Sequence, residues 1–77
     1  MFYTATQNPC PVKNTIKVER AIKGLTQEEL ARKVSVSRQT INAMEANKYV
    51  PSTLLALKIA RVFEKTVEEI FILEEED

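Results

Sequence analysis

The feature that most constrains this chain is the stretch from Thr26 to Glu45, TQEELARKVSVSRQTINAME, which holds two helix starts in quick succession. Thr26 is a good N-cap, and Glu29, three residues later, completes a capping box that satisfies two otherwise orphaned N–H donors. Leu25 before the cap and Leu30 at the fourth helical position form a hydrophobic staple. Ser37 caps a second helix, and Val36 with Ile41 repeats the staple. Only Ser35 and Val36 separate the two, so the helices must cross at a steep angle.

That arrangement is a helix-turn-helix, and its second helix carries the functional signal. At 100° per residue, Ile41 and Met44 share one side and must face a core, with Val36 leading into it. The opposite side presents Arg38, Gln39, Asn42, Ala43 and Ala46. Arg can pair bidentately with guanine, and Gln and Asn with adenine. Three such groups on one face near a helix start suit insertion into a major groove. A polar stripe alone is more often a solvated surface. The capped turn in front of it reverses that judgement.

The chain resembles the lambda-repressor-like (Cro/cI, XRE) helix-turn-helix family of small prokaryotic or phage transcriptional regulators. GLTQEELA, VSRQTI, NKYVPS, LALKIARVF and EEIF occur in the family's order, over about residues 13–71. The resemblance implies an all-α, five-helix DNA-binding bundle spanning 13–73, with a short two-stranded sheet joining the chain ends in some members. It implies a sequence-specific transcriptional regulator that binds a palindromic operator in double-stranded DNA as a homodimer and represses by blocking the promoter. Arg38, Gln39, Thr40 and Asn42 would face the bases, with the cap residue Ser37 also at the DNA. Ala43, where some relatives carry a polar reader, offers only a methyl group for a thymine methyl. Gln27 with the N-terminus of its helix, Lys48, Tyr49 and Thr53 would hold phosphates. Arg20 would pair with Glu45, fixing how helix three sits on helix one. No cofactor or small-molecule ligand is implied.

Charge distribution agrees with this reading although net charge is silent, the eleven basic and eleven acidic residues cancelling. From Lys13 to Lys48 there are eight Lys/Arg against four Glu; from Tyr49 to Asp77 there are three against seven acidic residues. The basic part coincides with the helix-turn-helix, as a phosphate-facing surface requires. The acidic end, 74–77, is expected to be a solvated tail. A lone Cys10 excludes an internal disulfide, and a chain without His makes a zinc site implausible. No apolar run is long enough for a membrane span, and no signal peptide is evident, so a cytoplasmic setting is expected.

In chain order, residues 1–12 are uncharged and form an arm in which Pro9 and Pro11 forbid helix. Phe2, Tyr3, Thr4 and Thr6 could make a short strand there. Helix one is expected from a cap at Asn14 or Thr15 to Lys23, with Ile16, Val18 and Ile22 inward and Gly24 closing it. Helix four, capped by Ser52, runs to Val62 or Phe63 and presents Leu54, Leu57, Ile59, Ala60, Val62 and Phe63 to the core. Thr66 and Glu69 form another capping box, opening helix five. Where the family usually has Gly, this chain has Ser35, Asn47 and Glu64; a left-handed backbone at Ser35 or Glu64 costs about 1 kcal/mol without Gly's freedom.

Ile70, Phe71, Ile72 and Leu73 form the apolar run left over from packing the first four helices, and are expected to make the dimer surface. A sheet of the chain ends would bring 11–13 alongside 71–74. An antitoxin using FILEEED to bind its toxin, or a protein-interaction adaptor, is the alternative function. Without His, and with carboxylates on capped or solvated positions, the chain does not read as an enzyme.

Overall fold

A computed structural model describes residues 12–73; the arm up to Pro11, with Cys10, and the acidic end 74–77 lie outside the described residues. The elements run β1 (Val12–Asn14), α1 (Ile16–Lys23), α2 (Gln27–Val34), α3 (Arg38–Glu45), α4 (Thr53–Phe63), α5 (Val67–Ile70) and β2 (Phe71–Leu73). The strands pair antiparallel, Val12 opposite Leu73, Lys13 opposite Ile72 and Asn14 opposite Phe71. The sheet expected between 11–13 and 71–74 is therefore present among the described residues as Val12–Asn14 paired with Phe71–Leu73, Pro11 lying outside them. Val12 belongs to it and not to the arm.

Four helices start on side-chain caps read from the sequence. Thr26 and Thr66 each form a complete capping box, with Glu29 and Glu69. Ser37 and Ser52 each accept a hydrogen bond from the N–H three residues on. Helix α1 differs: Thr15 occupies the cap position without a side-chain cap bond. Asn14 Oδ1 accepts from the Ile16 N–H at 3.1 Å, and its Nδ2 donates to the Met44 carbonyl at 2.8 Å. One side chain thus starts α1 and ties β1 to the end of α3.

Helix ends are closed by left-handed residues: Gly24, Ser35, Asn47 and Glu64 have φ of 69°, 62°, 60° and 57°. After each, the next N–H reaches back to the carbonyl five residues earlier, as in Leu25 to Arg20, Val36 to Ala31, Lys48 to Ala43 and Lys65 to Ala60. These are Schellman motifs. The three residues that stand in place of glycine take the same left-handed conformation as Gly24, and make the same backbone bonds to the orphan carbonyls.

Ile16, Leu30, Val34, Ile41, Met44, Ile59 and Ile70 are fully buried, joined by Ala31, Leu55, Ala60 and Phe63, with Leu25, Val36, Val62, Val67 and Phe71 packed at the margin. Two expected faces are corrected. On α1, Val18 and Ile22 are 57% and 70% exposed, and the buried partner of Ile16 is Glu19. On α4, Leu54 and Leu57 are 63% and 54% exposed, whereas Leu55 is buried. Leu55, Ile59 and Phe63 repeat every four residues and so form one stripe; Leu54 and Leu57 lie off it. Glu19 is accommodated because Lys65, in the α4–α5 turn, donates to its Oε2 at 2.8 Å.

Candidate nucleic-acid interface

Helix α3 is held on its inner side by Ile41 and Met44, both with no exposed surface. Its cap, Ser37, lies two residues past the left-handed Ser35, so the turn itself helps set the direction of the helix. Arg38, Gln39 and Asn42 are exposed, and Ala43 is half-buried. Arg38 and Asn42 lie four residues apart, on one face, with Gln39 beside them. Ser37 and Thr40 are engaged with each other: Ser37 Oγ accepts from the Thr40 N–H at 3.2 Å and lies 3.0 Å from its Oγ1. Thr40 is also half-buried, which leaves it less to offer than the three longer side chains.

Arg38 lines a shallow depression shared with Arg20, Gly24, Leu25, Thr26, Gln27 and Glu28, at the N-terminus of α2. The start of α3 and the start of α2 therefore meet on one surface. Lys48 and Tyr49 are exposed in the loop after α3, and Thr53 is exposed at the first position of α4. All the expected base-facing and phosphate-facing residues are thus placed at or beside α3 or at the starts of α2 and α4.

Behind this surface lies the Arg20–Glu45 pair. Arg20 donates Nε to Glu45 Oε2 at 2.7 Å and Nη2 to Oε1 at 3.1 Å, while Nη1 reaches the Leu25 carbonyl at 2.9 Å. The two side chains are only 16% and 7% exposed. Burial pushes the Glu45 carboxyl upward, but the hydrogen bonds from Arg20 and Gln27 and the charges of Arg20 and Lys17 outweigh it, holding the group below the usual carboxylate range. Arg20 is pushed up in turn, first by its hydrogen bond to Glu45. The pair locks α1 to the C-terminal end of α3, as expected.

Two features were not read from the sequence. Gln27, taken as a phosphate contact, also donates Nε2 to Glu45 Oε1 at 3.0 Å, and its Oε1 faces Asn42 Nδ2 at 3.4 Å. The Glu19–Lys65 pair was unmarked as well, since 46 residues separate its members and no local pattern joins them. At the other end of the molecule, Ile70 is fully buried and is withdrawn from the expected dimer surface; Phe71 is half-buried, and Ile72 and Leu73 are 50% and 75% exposed. Among the described residues no group of His, Cys, Asp and Glu is arranged to hold a metal, and no helix is long and apolar enough to cross a membrane.

The capped helix pair, its exposed polar outer face and the three helices that brace it define a helix-turn-helix domain. A helix-turn-helix family model matches residues 16–70. An uncharacterised HTH-type transcriptional regulator of Methanocaldococcus jannaschii is 53% identical over 66 residues, covering 86% of this chain and 100% of that protein. The Bacillus subtilis regulator YgzD, of the same description, is 50% identical over 66 residues, with 86% and 100% covered. The crystal structure of a provisionally named DNA-binding protein from Bacteroides fragilis superposes with a TM-score of 0.70 at 30% identity, over 78% of this chain and 97% of that one. This protein belongs to the helix-turn-helix family, in its lambda-repressor-like (Cro/cI, XRE) form.

Proposed function

We propose that this protein is a DNA-binding transcriptional regulator that reads a palindromic operator as a homodimer in the cytoplasm and represses by covering the promoter. The observation that carries the reading is the outward face of α3. Arg38, Gln39 and Asn42 are exposed at the start of a helix whose other side is locked into the core. The basic charge of 13–48 places attraction for phosphate on the same half of the chain. Arg38 and Gln39 read base edges, with Asn42 beside them and Ala43 against a thymine methyl. Lys48, Tyr49, Thr53 and the N-terminus of α2 hold the backbone.

A single helix-turn-helix reads only a few base pairs, and paired modules set their recognition helices about 34 Å apart. The surface that supports pairing is apolar and begins at the loop after α3, where it borders the phosphate-facing Thr53. Val12, Val50, Pro51, Ala56, Leu57 and Phe71 line most of a groove of about 240 Å³, with Leu54 exposed on the same helix as Leu57. No charged side chain lines this groove, so two copies can bring it together without like-charge repulsion. Ile72 and Leu73 extend the apolar area along β2.

Competition binding with single-base operator variants, chosen from a random DNA pool, tests the base reading. Arg38→Ala is expected to relax preference at one base position at a cost of about 1–3 kcal/mol, and Lys48→Ala to weaken all sequences alike with a shallower salt dependence. Uniform losses for Arg38→Ala would make it a phosphate contact. Sedimentation of wild type against Leu57→Asp and Leu73→Asp tests pairing. A wild type that is already monomeric at the concentrations that occupy the operator refutes the dimer.

A further inference from the structure

Behind the exposed face of α3, a buried charge is connected to a candidate base-reading side chain through one amide. Glu45 and Asn42 lie three residues apart on α3, and therefore on neighbouring parts of one helix surface. Gln27, at the first position of α2, spans the gap between them, its Nε2 3.0 Å from Glu45 Oε1 and its Oε1 3.4 Å from Asn42 Nδ2.

We infer that Glu45, acting through Gln27, fixes the hydrogen-bonding polarity of the Asn42 side chain and so makes Asn42 a reader of adenine. The inference rests on the base-reading role of α3 given above. It makes Gln27 and Glu45 positioning residues, distinct from the side chains that touch the base.

An ionised carboxylate only accepts, so the end of Gln27 that meets Glu45 must be its amide nitrogen. Glu45 stays ionised because Arg20 grips both of its oxygens, at 2.7 and 3.1 Å. The amide of Gln27 is thereby set by a fixed charge, where an exposed amide is otherwise free to flip. Its oxygen is then the atom that Asn42 meets. Asn42 must turn Nδ2 toward that oxygen, since the flipped form would oppose two acceptors.

At 3.4 Å this contact is long for a strong hydrogen bond, but the sign of the interaction, not its strength, selects the orientation. Asn42 is exposed, and its Oδ1 and the second Nδ2 hydrogen remain for a ligand. Adenine offers a matching edge, an N6 donor beside an N7 acceptor. Guanine offers two acceptors in the same places, O6 and N7, and so opposes Oδ1. With one Nδ2 hydrogen held by Gln27, Asn42 is preorganised to meet adenine and cannot turn both Nδ2 hydrogens to the two guanine acceptors.

Sequences selected from a random DNA pool by wild type, Asn42→Ala and Gln27→Met decide the matter. Methionine keeps the length of the side chain and removes both polar ends. Wild type is expected to prefer adenine at one position. Asn42→Ala and Gln27→Met are both expected to lower that preference, at that same position, by about fivefold or more. Gln27→Met should keep its fold, because Arg20 still grips Glu45. In the free protein, the side-chain amide resonances of Asn42 should shift on Gln27→Met.

A Gln27→Met variant that keeps the wild-type preference overturns the inference and leaves the proposed function standing. So does one that loses affinity equally for every sequence, which would make Gln27 a phosphate contact only. Asn42 resonances that do not move on Gln27→Met overturn it without any DNA. A wild type with no base preference overturns the proposed function and this inference together.

Discussion

Replacing Glu45 by alanine isolates the energetic role of the pair behind the recognition helix. The substitution removes the acceptor of two Arg20 hydrogen bonds and one from Gln27, and leaves the guanidinium its hydrogen bond to the Leu25 carbonyl. Arg20 is 16% exposed and cannot recover full hydration without moving α1. Breaking one partner of a largely buried pair costs about 3–5 kcal/mol. A chain of this length has a total stability of roughly 4–12 kcal/mol, so the variant loses at least about a quarter of it and, at the low end of that range, no longer folds. At about 4–8 °C per kcal/mol, the thermal midpoint followed by circular dichroism falls by roughly 12 °C or more.

Replacing both Arg20 and Glu45 by methionine removes the stranded charge along with its partner, and is expected to recover most of the loss. The pH dependence has a defined sign. The folded Glu45 carboxyl lies below its ordinary value, so its contribution is complete above that value and is lost as pH falls through the lower, folded one. Glu45→Ala should therefore lose this part of the acid sensitivity. A midpoint unchanged from wild type would refute the reasoning and show that both side chains are effectively solvated.

The remaining predictions concern the frame. Ser35→Gly and Glu64→Gly each relieve a left-handed backbone at φ 62° and 57° and should each raise stability by up to about 1 kcal/mol in urea denaturation. Leu55→Ala should cost about 2–5 kcal/mol and Leu54→Ala well under that, because only the former is buried; equal losses would refute the facing of α4. Thr26→Ala should cost about 1 kcal/mol of stability. It should also raise the Glu29 carboxyl only part of the way toward its ordinary value in an NMR titration, because the Thr26 backbone N–H, the larger of the two hydrogen-bonding causes that hold it low, survives the substitution.

What the sequence determined by itself was the part of the structure made by interactions three to five residues apart. The caps at Thr26, Ser37, Ser52 and Thr66 formed where their side chains could reach the N–H three positions on. Helices as short as these are opened and closed by such contacts, so the helix-turn-helix and the exposed row Arg38, Gln39, Asn42 were legible before any packing was known. The Arg20–Glu45 pair was legible only through the family resemblance, since its members stand 25 residues apart.

Only the tertiary structure decided which apolar side chains went inside. Val18, Ile22, Leu54 and Leu57 have the hydrophobicity for a core, yet they are exposed while Glu19 is buried. A helix of eight to eleven residues with apolar groups on more than one side has no unique inward face from periodicity alone. The face is chosen by what the neighbouring helices bring to it: Lys65 makes burial of Glu19 tolerable, and the stripe of Leu55, Ile59 and Phe63 outcompetes Leu54 and Leu57 for the same core. The link from Glu45 through Gln27 to Asn42 has the same origin. It joins the start of α2 to the end of α3, and those atoms meet only after both helices have packed.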